Sequence, residues 1–130
     1  MATKNFENYI LNMNKTLNDK LFFLDKIDLN DKIIIDFGCG DGCVTRGLLQ
    51  KYKPAEIYFV DNNPRMLEVV QKNNTFKKVH YLNGFNELKK VKFDKRKDVV
   101  MLLTSVLHEI PFDMQKEIIS FIRNNCKYFI

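Results

Sequence analysis

The chain has 130 residues and carries 21 Lys and Arg against 16 Asp and Glu, a net charge of +5. Its 45% hydrophobic content supports one packed domain and excludes a disordered chain, while its mean hydropathy of −0.28 and lack of a long apolar run exclude a membrane-spanning helix. Three cysteines, Cys39, Cys43 and Cys126, form neither a CxxC pair nor a zinc set with the two histidines, so the sequence predicts no metal and a reducing, cytoplasmic compartment.

In chain order, Phe6, Ile10, Met13, Leu17, Leu21 and Leu24 recur at helical spacing. Residues 4–26 therefore read as an amphipathic helix, with 1–29 packing on the domain that follows, as a lid or a supporting layer. Ile33, Ile34 and Ile35 form a β-branched run suited to a strand at 32–37, buried on both faces of a parallel sheet. A helix follows at 42–51, with Val44, Leu48 and Leu49 as its buried stripe. A second strand spans 56–60, and Pro64 opens a helix reaching about Lys72. Val79–Leu82 reads as a third strand, 85–91 as a short helix or irregular turn, and 98–103 as an apolar fourth strand. Residues 113–125 form the next helix, and Lys127–Ile130 begins a fifth strand. Alternating strands and helices predict a doubly wound, mostly parallel α/β sheet in three αβα layers.

The turn after the first strand carries Gly38, Gly40 and Gly42 at alternate positions. Glycines there allow sharp turns and let the main chain approach a ligand, beside a helix N-terminus that attracts polar or anionic groups. Asp61 lies 21 residues after Gly40, the separation at which a carboxylate grips ribose hydroxyls in nucleotide-binding βαβ units. An adenosine-containing cofactor is the expectation.

Cys43 stands where a dinucleotide fingerprint has its third Gly or Ala, and Asp36 places a carboxylate where a pyrophosphate would be repelled. The segment Asp36-Phe37-Gly38-Cys39-Gly40-Asp41-Gly42 resembles the first motif of the class I S-adenosylmethionine-dependent methyltransferases. Tyr58 to Leu67, with Asp61 and Pro64, looks like their second motif, and Asp98 to Glu109 resembles their fourth-strand region. Over residues 30–130 the resemblance implies a Rossmann-like domain that binds S-adenosyl-L-methionine and transfers its methyl group to an acceptor no residue identifies. It also implies site residues. Asp36 faces the loop amides or the cofactor's amino group, Gly38 and Gly40 give the close backbone approach, and Asp61 holds the ribose. Asn62 lines the adenine pocket, and Asn83 stands where the family often has an acid that contacts adenine. Thr104 and His108 follow the fourth strand, His108 as a base for an acceptor that must lose a proton, or as a packing residue beside the next helix.

Lys89, Lys90, Lys92, Lys95, Arg96 and Lys97 fall within nine residues. Only Phe93 is interleaved for base stacking, so a solvated connection is favoured over a nucleic-acid surface. The family's fold usually continues through two more strands, so the sequence reads as truncated before its C-terminal strands. The sequence accordingly predicts incompletely covered Val99, Val100, Met101, Leu102 and Leu103, an open edge, and self-association or a completing partner chain. A non-catalytic cofactor-binding subunit and an NAD-dependent oxidoreductase are the alternative functions.

Overall fold

The computed structural model describes residues 27–103 and 110–130. The helix expected over 4–26, and with it the 1–29 packing unit apart from its last three residues, lies outside them, as do Thr104 and His108. Leu29, just inside, is fully buried in the core.

Five strands make one sheet: β1 (Ile33–Phe37), β2 (Glu56–Asp61), β3 (Val79–Asn83), β4 (Val99–Leu102) and β5 (Tyr128–Phe129). The order is β3-β2-β1-β4-β5, and every pairing is parallel. Among the described residues, four helices connect them: α1 (Cys43–Leu48), α2 (Pro64–Asn73), α3 (Phe85–Leu88) and α4 (Phe112–Asn125). Strand alternation divides the apolar residues between two cores. Ile34, Ile57, Phe59, Val100 and Leu102 pack with Val44, Leu48 and Val70 of α1 and α2. Ile33, Ile35, Val60, Val99 and Met101 pack on the other face with Phe85, Leu88, Ile118, Phe121 and Ile122 of α3 and α4. This is the expected three-layer, doubly wound arrangement.

The helices change face between β1 and β4. Such a reversal opens a crevice outside the carboxyl ends of the strands, where ligands bind in these sheets.

One expectation is corrected. Val99 to Leu103 are all buried, between 0 and 8% exposed. α4 covers one face of β4, and β5 pairs along its edge with Val100 opposite Tyr128 and Met101 opposite Phe129. Ile130 extends the ladder, its N–H donating to Met101 at 2.9 Å and its carbonyl accepting from Leu103. Four terminal residues thus complete a strand that the sequence suggested was bare. The exposed edge moves out to β5, whose Phe129 is 62% exposed.

Candidate cofactor site at the carboxyl edge

The loop from Gly38 to Gly42 leaves β1 at the reversal point, and its three glycines all adopt positive φ, at 68°, 56° and 76°. A β-carbon at Gly42 would also lie 3.2 Å from Val70 and 3.5 Å from Phe59, so the third glycine lets the start of α1 close on α2 and β2. The loop is tied to β2: the N–H groups of Gly38 and Cys39 both donate to the Val60 carbonyl, at 2.8 and 3.1 Å.

Asp61 ends β2 and completes the tie. Its Oδ2 accepts from the Gly40 N–H at 3.1 Å, and its Oδ1 accepts from the Asn63 N–H at 2.9 Å. One carboxylate therefore fixes both the glycine loop and the turn into α2. Each oxygen keeps a further acceptor position, and the residue is half-buried. Asn63 then caps α2, accepting from the Arg65 N–H at 3.0 Å with Pro64 in the first turn.

Beside Asp61, the register places Asn83 at the end of β3. Its N–H donates to Glu87 at 2.7 Å, and its side-chain amide, turned so that the nitrogen faces the carbonyls of Asp61 and Asn62, donates to both at 3.3 Å. Gly84 follows at φ 83°, where a β-carbon would come within 2.5 Å of the Asn62 Oδ1. Asp61, Asn62 and Asn83, singled out from the sequence, thus form one wall around Gly84.

Asp36 occupies a different layer. It is 1% exposed, and its Oδ2 accepts a 2.7 Å hydrogen bond from the Thr45 hydroxyl in α1. It lies beneath the loop, and Thr45 offsets part of the cost of burying its charge. Sequence reasoning passed over Thr45 and Asp41. Buried Asp41 accepts from the Cys43 N–H at 3.0 Å and pairs with Arg46 at 3.5 Å. The acidic residue inside the glycine triplet, with an Arg one helical turn into α1, was the available signal. Burial, then the charges of Asp36, Asp61 and Asp41, pushes the Cys39 thiol far above its usual range. The loop therefore sits in a negative field.

A family model described as "Methyltransferase domain" matches residues 34–127. The malonyl-[acyl-carrier protein] O-methyltransferase of Halorhodospira halophila is 39% identical over 49 residues, 38% of this chain and 17% of that protein. The ribosomal RNA small subunit methyltransferase A of Mesomycoplasma hyopneumoniae is 31% identical over 77 residues, 59% of this chain and 29% of its own length. The chain thus spans under a third of these curated relatives. Among solved structures, the magnesium protoporphyrin IX methyltransferase of Synechocystis PCC 6803, with bound S-adenosylmethionine, superimposes with a TM-score of 0.61 at 19% identity, over 87% of this chain and 54% of that one. That likeness is one of fold. With the family match covering most of its length, the chain belongs to the methyltransferase-domain family, whose cofactor is S-adenosyl-L-methionine.

Proposed function

We infer that this chain binds S-adenosyl-L-methionine at the carboxyl edge and transfers its methyl group to an acceptor. The observation that carries this reading is the Gly40–Asp61 hydrogen bond, which fixes the glycine loop against the carboxylate suited to a ribose. When bound, the cofactor supplies a methyl group already activated on a sulfonium, so the protein's work is chiefly alignment. Gly38 and Gly40 bring the main chain close, and Asp61 receives the ribose hydroxyls in its remaining acceptor positions. Asn62 and Asn83 line the adenine side. Asp36, held by Thr45, is a fixed negative charge beneath the loop, and Asp41 adds to the field although Arg46 neutralises part of it. That field favours an ammonium and a sulfonium over a pyrophosphate, and so disfavours the NAD reading. Thr104 is assigned to the cofactor and His108 to deprotonating the acceptor, from their places after β4.

The curated relatives act on different acceptors, so none is transferred to this chain. The cysteines described, all unpaired thiols, suit a reducing cytoplasm. No described helix is long and apolar enough to cross a membrane.

S-adenosylhomocysteine tests the reading, because a ligand that binds only the native state raises the melting temperature. A concentration-dependent rise larger than any given by NAD is expected. Folded protein with no rise at millimolar S-adenosylhomocysteine would overturn it.

A further inference from the structure

At the opposite, amino edge of the sheet, the residues entering β1, β2, β3 and β4 surround a second concavity of about 510 Å³. That volume lies within the range of small-ligand sites. Asp31, Ala55, Lys77, Lys78 and Lys97 line it, together with half-buried Phe76.

Its charge is one-sided. Among the described lining residues Asp31 is the sole carboxylate, and its Oδ1 is already 2.6 Å from the Lys97 Nζ. Lys77 and Lys78 make no ion pair with a described residue. Two ammonium groups are thus left over on one rim, next to an aromatic ring.

The cleft is also built on fixed backbone. Asn74 ties the loop carrying the two lysines: its amide nitrogen donates to the Phe76 carbonyl at 2.8 Å and to the Tyr81 hydroxyl at 3.1 Å, and its oxygen accepts from the Phe76 N–H at 3.1 Å. The Lys78 carbonyl accepts from the Ile57 N–H as β3 begins. Across the cleft, Asp31 is the one described non-glycine residue at positive φ, 59°, a conformation that Asp and Asn tolerate best. Its N–H donates to the Lys53 carbonyl at 2.9 Å.

We propose that this amino-edge cleft binds a phosphate-bearing ligand, with Lys77, Lys78 and Lys97 as the cationic contacts and Phe76 as an apolar wall. The phosphate arrives either on a nucleic-acid strand or on a free nucleotide. The site is separate from the glycine-loop crevice and belongs to the other end of the strands. It also divides the lysine run noted in the sequence: Lys97 lines the cleft, whereas the Arg96 guanidinium is tied to Asp94 by two hydrogen bonds and Lys89 pairs with Glu117 at 3.6 Å.

The probes are a fluorescein-labelled 12-nucleotide single-stranded RNA, followed by anisotropy, and AMP, followed by calorimetry, both at low salt. In the paired variants K77E/K78E and K89E/K90E the net charge changes equally, but only the first pair lies in the cleft. We expect K77E/K78E to weaken the bound probe at least tenfold and to lower the salt dependence by about two released counterions, and K89E/K90E to weaken it no more than twofold. Asp31→Asn keeps a residue that accepts positive φ and removes the cleft's carboxylate, so it should tighten binding. Binding of RNA alone identifies a strand as the phosphate source, and binding of AMP identifies a free nucleotide. Equal weakening in both paired variants, or binding of neither probe to the wild type, overturns the proposal. The S-adenosylhomocysteine shift is read separately and should survive in K77E/K78E.

Discussion

Asp61 joins two tasks that are usually counted apart. It is the carboxylate proposed to hold the ribose, and it accepts the N–H groups of Gly40 and Asn63. Asp61→Ala should therefore lower both affinity and stability. Losing two charge-assisted ligand bonds costs roughly 2–4 kcal/mol of binding after partial replacement by water, on the order of 30-fold or more in the dissociation constant for S-adenosylhomocysteine. The freed Gly40 N–H should also reduce the melting temperature of the unliganded protein. Unchanged affinity would place the ribose elsewhere. Sequence spacing was enough to bring Asp61 to the glycine loop, because 21 residues is the length of one βα unit. It was not enough to find Thr45, whose hydroxyl meets Asp36 only once α1 folds back over β1.

The thiols give a pH prediction. Burial pushes Cys126 up to about 12 from an ordinary value of 9.0, and Cys39 is shifted in the same direction. Tyr58, buried beside Glu56, rises to about 12 from 10.0. Each group is neutral when protonated, so the unfolded chain loses these protons first as pH rises. Their contribution is complete below about pH 9 and declines between about 9 and 12. Thermal melts across that interval should show falling stability. A flat profile would mean that these groups are exposed in solution.

The five strands and helices α2 and α4 were readable in the sequence to within a residue at each end, because β1, β2 and β4 are covered on both faces and read as nearly continuous apolar runs, whereas α3 ends at Leu88, three residues short of the expected 85–91. Helix α1 is shorter than its apolar stripe suggests: Leu48 closes the regular helix, and turns carry the chain on to Tyr52. What the sequence could not supply is the contact between connections from different units. Gly84 is the clearest case. It reads as an ordinary turn glycine, yet its φ of 83° and ψ of 176° are open essentially to glycine alone, and Asn62 occupies the space of a β-carbon. Gly84→Ala should cost about 1–3 kcal/mol of stability from the backbone conformation, with a further loss of cofactor affinity as Asn62 is displaced. Denaturant melts and S-adenosylhomocysteine titration separate the two effects. A variant as stable as the wild type would mean that the turn has another conformation within reach.

Across the molecule, the parallel sheet separates two chemistries: carboxylates gather around the glycine loop at one edge, and lysines gather at the other. Its lateral edge has a third character. β5 pairs only with β4 among the described residues, and Tyr128 and Phe129 are exposed there, as are Phe112 and Ile119 on neighbouring α4. An unpaired apolar edge invites pairing with another chain, although a strand of two residues flanked by Lys127 is a short template. Reversible, concentration-dependent association of this 130-residue chain is therefore expected, rather than runaway aggregation. Light scattering over a dilution series measures it, with Phe129→Lys as the edge variant and Phe112→Lys as the helix variant. Loss of association in Phe129→Lys alone assigns the contact to the strand edge, and loss in Phe112→Lys alone moves it to the face of α4. A wild-type chain that stays monomeric at every concentration would mean that two exposed backbone steps and one lysine suffice to protect this edge.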